Sequence, residues 1–170
     1  MKTLLKITVF ILAGWLGASC SISYSFSGSS VDYTKVASIS IRDFPNVASL
    51  VYAPLAQQFT ENLKDKYTRQ TKLRVLREGG DMDLEGEITG YNFMPMAVSE
   101  NTYASQTRLT ITVRVRFTNK TDPNQDFERT FTAKSEFDNT SSIDQVQDEL
   151  CDVIMKEIID QIYNATVATW

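Results

Sequence analysis

The sequence predicts an α+β fold, a two-layer sandwich with two helices packed on one face of a four- or five-stranded mixed sheet, in the order β-α-β-meander-α. Three observations carry this expectation. Leu55, Phe59, Leu63 and Tyr67 recur at steps of four, as do many of the apolar residues from Val146 to Ala165, so two amphipathic helices are expected. Leu109, Ile111, Val113, Val115 and Phe117 alternate with Thr110, Thr112, Arg114 and Arg116, the period of a half-buried strand. A chain of 170 residues with 42% hydrophobic content is long enough for one domain with its own core.

Taken in order, Val36 to Phe44 reads as the first strand, with Ala37, Ile39, Ile41 and Asp43 on one face and Val36, Ser38, Ser40 and Arg42 on the other. It ends at Pro45-Asn46, and Pro54 opens the first helix, which fades near Thr71. Lys72 to Arg77 is a short strand closed by the Gly79-Gly80-Asp81 turn. A helix between two strands is a crossover, so these strands are expected to be parallel. Leu84 to Phe93 then points Leu84, Gly86, Ile88 and Gly90 inward, the glycines allowing a helix to approach, and Glu85, Glu87, Thr89 and Tyr91 outward. Whether Lys72 to Arg77 is independent of this strand decides between four and five. Phe127 to Phe137 pairs back on Thr107 to Phe117 across the Thr121-Asp122-Pro123-Asn124 turn, completing a meander. Ser142 and Gln145 form a capping box at the start of the last helix, whose apolar stripe is Val146, Leu150, Val153, Ile154, Ile158, Ile162 and Ala165.

The first twenty residues, MKTLLKITVFILAGWLGASC, place Lys2 and Lys6 ahead of an apolar run from Ile7 to Leu16, followed by Gly17, Ala18 and Ser19. The run is shorter than the ~20 apolar residues of a membrane span and reads as an export signal. Small residues directly before Cys20 resemble a bacterial lipobox, although Gly17 stands where Leu is commonest; an ordinary signal peptide is the alternative. The expected organisation is therefore a lipoprotein signal peptide at 1–19, an acylated Cys20 with a Ser-rich tether at 20–34, and a single domain at 35–170. Several acyl chains would hold Cys20 on a lipid bilayer, each buried CH₂ contributing roughly 0.8 kcal/mol. Cys151, within the last helix, is then left without an intramolecular partner and acts as a small packing residue.

The chain has no His, which removes Ser-His-Asp and Cys-His nucleophiles and His-ligated zinc. Its 17 basic and 21 acidic residues give net charge −4, unlike the concentrated positive field of a nucleic-acid binder. Asp81, Asp83, Glu85 and Glu87 lie on one face of an extended segment rather than in a calcium cage, so no metal is expected; a hydrolase built on these acids is the weakest reading. Gly79-Gly80 lacks the rest of a nucleotide loop. Arg114 and Arg116 can pair across strands with Glu85 and Glu87, or offer guanidiniums to phosphate or carboxylate. The run Lys64, Lys66, Arg69, Lys72, Arg74 and Arg77 is either a solvated helix end or an anion patch. Trp170 ends a helical segment and not a barrel strand.

The ordered fragments Cys20-Ser-Ile-Ser-Tyr-Ser-Phe-Ser-Gly28, Ile39-Ser-Ile-Arg-Asp-Phe-Pro-Asn46, Pro54-Leu55, Phe59-Thr-Glu-Asn-Leu63, Asp83-Leu-Glu-Gly-Glu-Ile-Thr-Gly-Tyr91 and Arg108-Leu-Thr-Ile-Thr-Val113 are similar to the lipopolysaccharide-assembly lipoproteins, the LptE family. The resemblance implies a non-enzymatic protein without cofactor, lipid-anchored at the periplasmic side of the outer membrane. It also implies a large outer-membrane β-barrel translocon as partner, which the chain plugs while lipopolysaccharide passes to the cell surface. Arg74, Arg77, Arg114 and Arg116 are the candidate contacts to the anionic lipid. A lipid-anchored adaptor or pilot protein of another secretion machine is the alternative.

Overall fold

The computed structural model describes residues 31–96 and 106–167. Cys20, the Ser-rich leader and Trp170 lie outside them. The elements are β1 (Ser38–Ile41), α1 (Leu55–Gln70), β2 (Arg74–Leu76), β3 (Met82–Pro95), β4 (Gln106–Asn119), β5 (Phe127–Asp138) and α2 (Ile143–Thr166), with a 3-10 turn at Pro123–Gln125. They form one five-stranded mixed sheet in the order β2-β1-β3-β4-β5. β1 runs parallel to both β2 and β3, and β3, β4 and β5 make the antiparallel meander.

The helices cover the apolar face of the sheet. Leu55, Phe59, Leu63 and Tyr67 are fully buried, one residue per turn of α1. Thr71 stops that helix, its backbone N–H and its hydroxyl both donating to the Tyr67 carbonyl. α2 lies over β4 and β5 and buries Leu150, Ile154, Ile158 and Ile162 together with Cys151, Met155 and Ile159. Each such aliphatic side chain contributes about 1.5–3 kcal/mol when fully buried. Val153, placed by periodicity on this stripe, is 53% exposed; the wheel centres one residue further round, on Cys151, Met155 and Ile159. At the start of α2 the Gln145 carboxamide oxygen accepts the Ser142 N–H at 3.4 Å, the reciprocal bond of a capping box.

β2 is a strand in its own right, so the count is five. It does not touch β3, because β1 sits between them. Residues 77–81 therefore pass across β1, and the hydrogen bonds show which face they cross. The Gly80 and Asp81 N–H groups donate to the hydroxyls of Ser40 and Ser38, and the Asp81 carboxylate accepts from the N–H groups of Ala37 and Ser38 at 2.9 and 3.0 Å. This crossing covers the polar side of β1, which is why Ser38 and Ser40 are buried with Ile39 and Ile41. A Cβ on Gly80 would lie 2.6 Å from the Ser40 nitrogen, and Gly79 takes φ +78°, so the glycine pair meets both a close approach and a left-handed turn.

The inward pattern expected for β3 holds only to Ile88. Ile88 pairs with Val113 but Gly90 with Thr112, so Thr89 is an extra residue. Past this bulge the faces exchange: Tyr91, expected outside, is 3% exposed opposite Ile111, and Gly90 lies against the Thr112 side chain on the polar face. What approaches Gly86 is the ring of Phe44 and the Arg114 carbonyl rather than a helix.

Candidate functional site

The face of the sheet away from the helices carries charge in register. Alternation on β3 and β4 points Glu85, Glu87, Arg114 and Arg116 to this side, and antiparallel pairing sets Glu85 opposite Arg116 and Glu87 opposite Arg114. Glu87 accepts a close hydrogen bond from the Arg114 guanidinium. Glu85 stands between two guanidiniums, with Arg42 Nη1 at 2.7 Å from one carboxylate oxygen and Arg116 Nη1 at 3.7 Å from the other. Arg42 arrives from the end of β1, where residues 43–45 swing away from β3 before Pro45 accepts the Ile88 N–H. Glu128 of β5 faces Arg116 from the other side. These groups, with Asp43 and Gly86, line a shallow cleft of ≈ 410 Å³.

Further along the face, Thr112 and Thr132 are hydrogen-bonded at 3.3 Å, and the Arg108 guanidinium grips one Glu136 oxygen through Nε at 2.9 Å and Nη2 at 2.6 Å. The surface is therefore polar and locally neutral. Each exposed pair contributes at most about 1 kcal/mol to stability, so the pattern matters for what can dock on it more than for holding the sheet.

The four arginines singled out from the sequence occupy two places. Arg114 and Arg116 sit on β4 within the ion pairs just described. Arg74, on β2, shares the face of Ser38 and is exposed, without an ion pair among the described residues; Arg77 is 87% exposed, 4.0 Å from Asp43. β1 and β3 separate β2 from β4, about 14 Å at ~4.8 Å per strand, so the two pairs do not converge. The rest of the basic run is largely spoken for: Lys64 meets Asp43 at 2.8 Å, Lys66 meets Asp160 at 2.7 Å and Arg69 meets Asp65 at 2.8 Å.

Asp81, just before β3, and the β3 acids Asp83, Glu85 and Glu87 each have partners of their own rather than sharing one ligand. Asp81 is bound by Ala37 and Ser38, Asp83 by Lys120 at 3.0 Å, and Glu85 and Glu87 by arginines. Among the described residues no group of three or more His, Cys, Asp or Glu could hold a metal. The backbone N–H of Ala37, followed by the Ser38 hydroxyl, pulls the Asp81 carboxyl below its usual range. Inside, burial raises the Cys151 thiol to about 11 and the Tyr91 hydroxyl to about 12; the two lie 3.9 Å apart, and Gln147 donates to Tyr91 at 2.6 Å. A thiol held protonated in a closed core is a packing group and not a nucleophile.

Sequence reasoning missed Arg42 and Glu128 as parts of the charged face. Arg42 could have been found from its parity with Ser38 and Ser40, because the parallel register that sets Ile41 opposite Leu84 places Arg42 beside Glu85.

The fold and this face define a two-layer α+β sandwich in which, among the described residues, no helix covers the charge-paired surface of the sheet. Residues 36–166 match the family model LptE, described as lipopolysaccharide-assembly, and the chain belongs to that family. Among solved structures it is similar to protein XCC0632 from Xanthomonas campestris, at 12% identity and TM-score 0.54, covering 75% of this chain and 82% of that one. It is also similar to the hypothetical protein CT253 from Chlamydia trachomatis, at 10% identity and TM-score 0.50, covering 77% and 98%. The rare lipoprotein B of Shewanella oneidensis matches at 10% identity and TM-score 0.44, over 75% and 89%. No curated protein matches the chain. Among the described residues no helix is long and apolar enough to cross a membrane.

Proposed function

We propose that this chain is an outer-membrane lipoprotein, acylated at Cys20 and facing the periplasm, that plugs a large β-barrel translocon and helps lipopolysaccharide reach the cell surface. The observation that carries the reading is the family match over residues 36–166, which embraces every element of the sandwich. The open sheet face supports it physically. A surface of matched Arg and Glu, with threonines between, suits a hydrated and polar barrel lumen, where an apolar face would be left unsatisfied and a single-sign face would repel one half of the wall. A lipid anchor confines the domain to the membrane that holds the barrel and so raises the encounter rate without new contacts.

In this reading the protein works through its surface and carries no chemistry. Of the four, Arg74 has no ion pair among the described residues and the exposed Arg77 has only a 4.0 Å contact with Asp43, so these two can turn to a lipid phosphate or carboxylate; Arg114 and Arg116 do so only by leaving Glu87 and Glu85. Photo-reactive residues placed at Arg74, Arg77, Arg114 and Arg116 test the assignment in cells. The expected result is capture of a large protein from the β4 positions and of glycolipid from the β2 positions; capture of neither at any of the four would refute it.

A further inference from the structure

Residues 42–54 join β1 to α1, a longer connection than the roughly four to six residues usual between elements. Its middle is Val47-Ala48-Ser49-Leu50-Val51, in which Ala48 is buried while Val47, Leu50 and Val51 are each more than half exposed. Met94, near the end of β3, and Ile143, at the start of α2, are exposed at the same end of the domain, opposite the end at which the chain enters β1. The loop is tied in place. The Val47 N–H donates to the Ile88 carbonyl at 2.9 Å, Asn46 bridges Ile88, and the Tyr52 ring stacks on Tyr91 at 6.5 Å while its hydroxyl donates to Asp148. A loop held at both ends therefore presents three aliphatic side chains to the outside, where grouped apolar exposure marks an interaction surface.

Beside the loop lies a concavity. β2 stops at Leu76, level with Ser40, so among the described residues no strand flanks residues 43–45 on that side. The space between them and α1 is a groove of ≈ 570 Å³, lined by Phe44, Pro45, Ala56 and Thr60 among others.

The charge around the loop has one sign. No Lys or Arg occurs in residues 43–63, 82–95 or 143–155, whereas Asp144, Asp148 and Glu149 are exposed on the first turns of α2, next to Tyr52. Arg108 of β4, opposite Met94, has its guanidinium held by Glu136. An anionic lipid would meet apolar contact here without a cation for its phosphate and with acids beside it. A protein segment with apolar side chains and a Lys or Arg satisfies both features.

We propose that Val47, Leu50 and Val51, with the groove at Phe44, Pro45 and Ala56, form a docking surface for an apolar, Lys- or Arg-bearing segment of the barrel partner, the α2 acids meeting its positive charge. This inference rests on the barrel reading and adds to it a second contact, apolar at its centre and acidic at its rim, apart from the charge-paired sheet face.

The test places a photo-reactive residue at Leu50 or Val51 of the full chain in cells, with Arg114 as the reference position, and identifies each adduct by mass and peptide sequence. Leu50 and Val51 are expected to capture a barrel-protein peptide that is apolar and contains Lys or Arg. Capture of the barrel from Arg114, but of a lipid, a second copy of this chain, a peptide without Lys or Arg, or nothing from Leu50 and Val51, overturns this inference and leaves the barrel reading standing. No barrel from any of the three positions overturns both. The variant Leu50→Asp/Val51→Asp should melt with the parent, since both side chains are exposed, and should lower the yield of co-captured barrel by about fivefold or more; an undiminished yield from the folded variant overturns the inference. In the purified chain without partner, Leu50→Cys should react with a maleimide under native conditions, the site being located by peptide mass. Reaction only in urea would show that the chain covers this surface itself and would likewise overturn it.

Discussion

Substituting Gly86 by Ala adds one methyl group at a position where neither neighbour can retreat. The new Cβ would stand 2.3 Å from the Arg114 carbonyl oxygen and 2.5 Å from Cε1 of Phe44. The carbonyl belongs to the β3–β4 ladder, where Gly86 pairs with Val115. The ring is fixed from behind, 5.3 Å from the Phe59 ring, while the Phe44 N–H donates to Thr60 Oγ1 at 3.0 Å. Relief requires either β3 or the β1–α1 connection to shift, and overpacking of this kind costs about 1–3 kcal/mol. At about 4 °C per kcal/mol for a domain of this size, a cost of about 2 kcal/mol lowers Tm by about 8 °C in a circular-dichroism melt. Adding Phe44→Leu removes the ring but not the carbonyl, so the double variant should fall short of the sum of the two single losses by about 0.5–1 kcal/mol without returning to the parent. A Gly86→Ala protein melting within about 2 °C of the parent would refute the close-packing argument for this residue.

Leu63→Ala empties a fully buried position on α1 and should cost about 2–5 kcal/mol in urea unfolding, whereas Val153→Ala on the exposed side of α2 should stay within about 0.5 kcal/mol. The Asp81 carboxyl is depressed from its ordinary 3.8 by hydrogen bonds that exist only in the fold, so its stabilisation is complete above that value and is lost as pH falls through the lower folded one. Acid titration of stability should therefore show a smaller loss below about pH 4 for Asp81→Asn than for the parent, from a lower starting stability at neutral pH. Cys151, with its thiol raised to about 11 in the core, should resist iodoacetamide at pH 8 in the native protein and react in urea, as followed by mass spectrometry.

The sandwich was legible because its elements repeat cleanly. The stripe Leu55, Phe59, Leu63 and Tyr67 has one interpretation, and so has the alternation from Leu109 to Phe117, which β4 keeps in register with both neighbours. Pairing of Arg114 and Arg116 with Glu87 and Glu85 followed from parity and strand order alone. What periodicity could not carry were the interruptions. The extra residue at Thr89 reverses every later side chain of β3, and nothing in Ile88-Thr89-Gly90 announces it. The burial of Ser38 and Ser40 depends on residues 77–81 crossing β1, a consequence of strand order β2-β1-β3 that local sequence does not encode. Arg42 meets Glu85 through the parallel β1–β3 register, a pairing set by the same strand order and not by local propensity.

The central claim is that the chain acts as the surface partner of an outer-membrane barrel. Mild detergent extraction, affinity capture of the full chain and identification of what comes with it address this most directly. The account predicts one large β-barrel protein in stoichiometric yield, lost when Arg42, Arg114 and Arg116 are all reversed to Glu in a chain that still melts cooperatively. Recovery of the chain with no barrel protein, from cells in which it is abundant and membrane-bound, would contradict it.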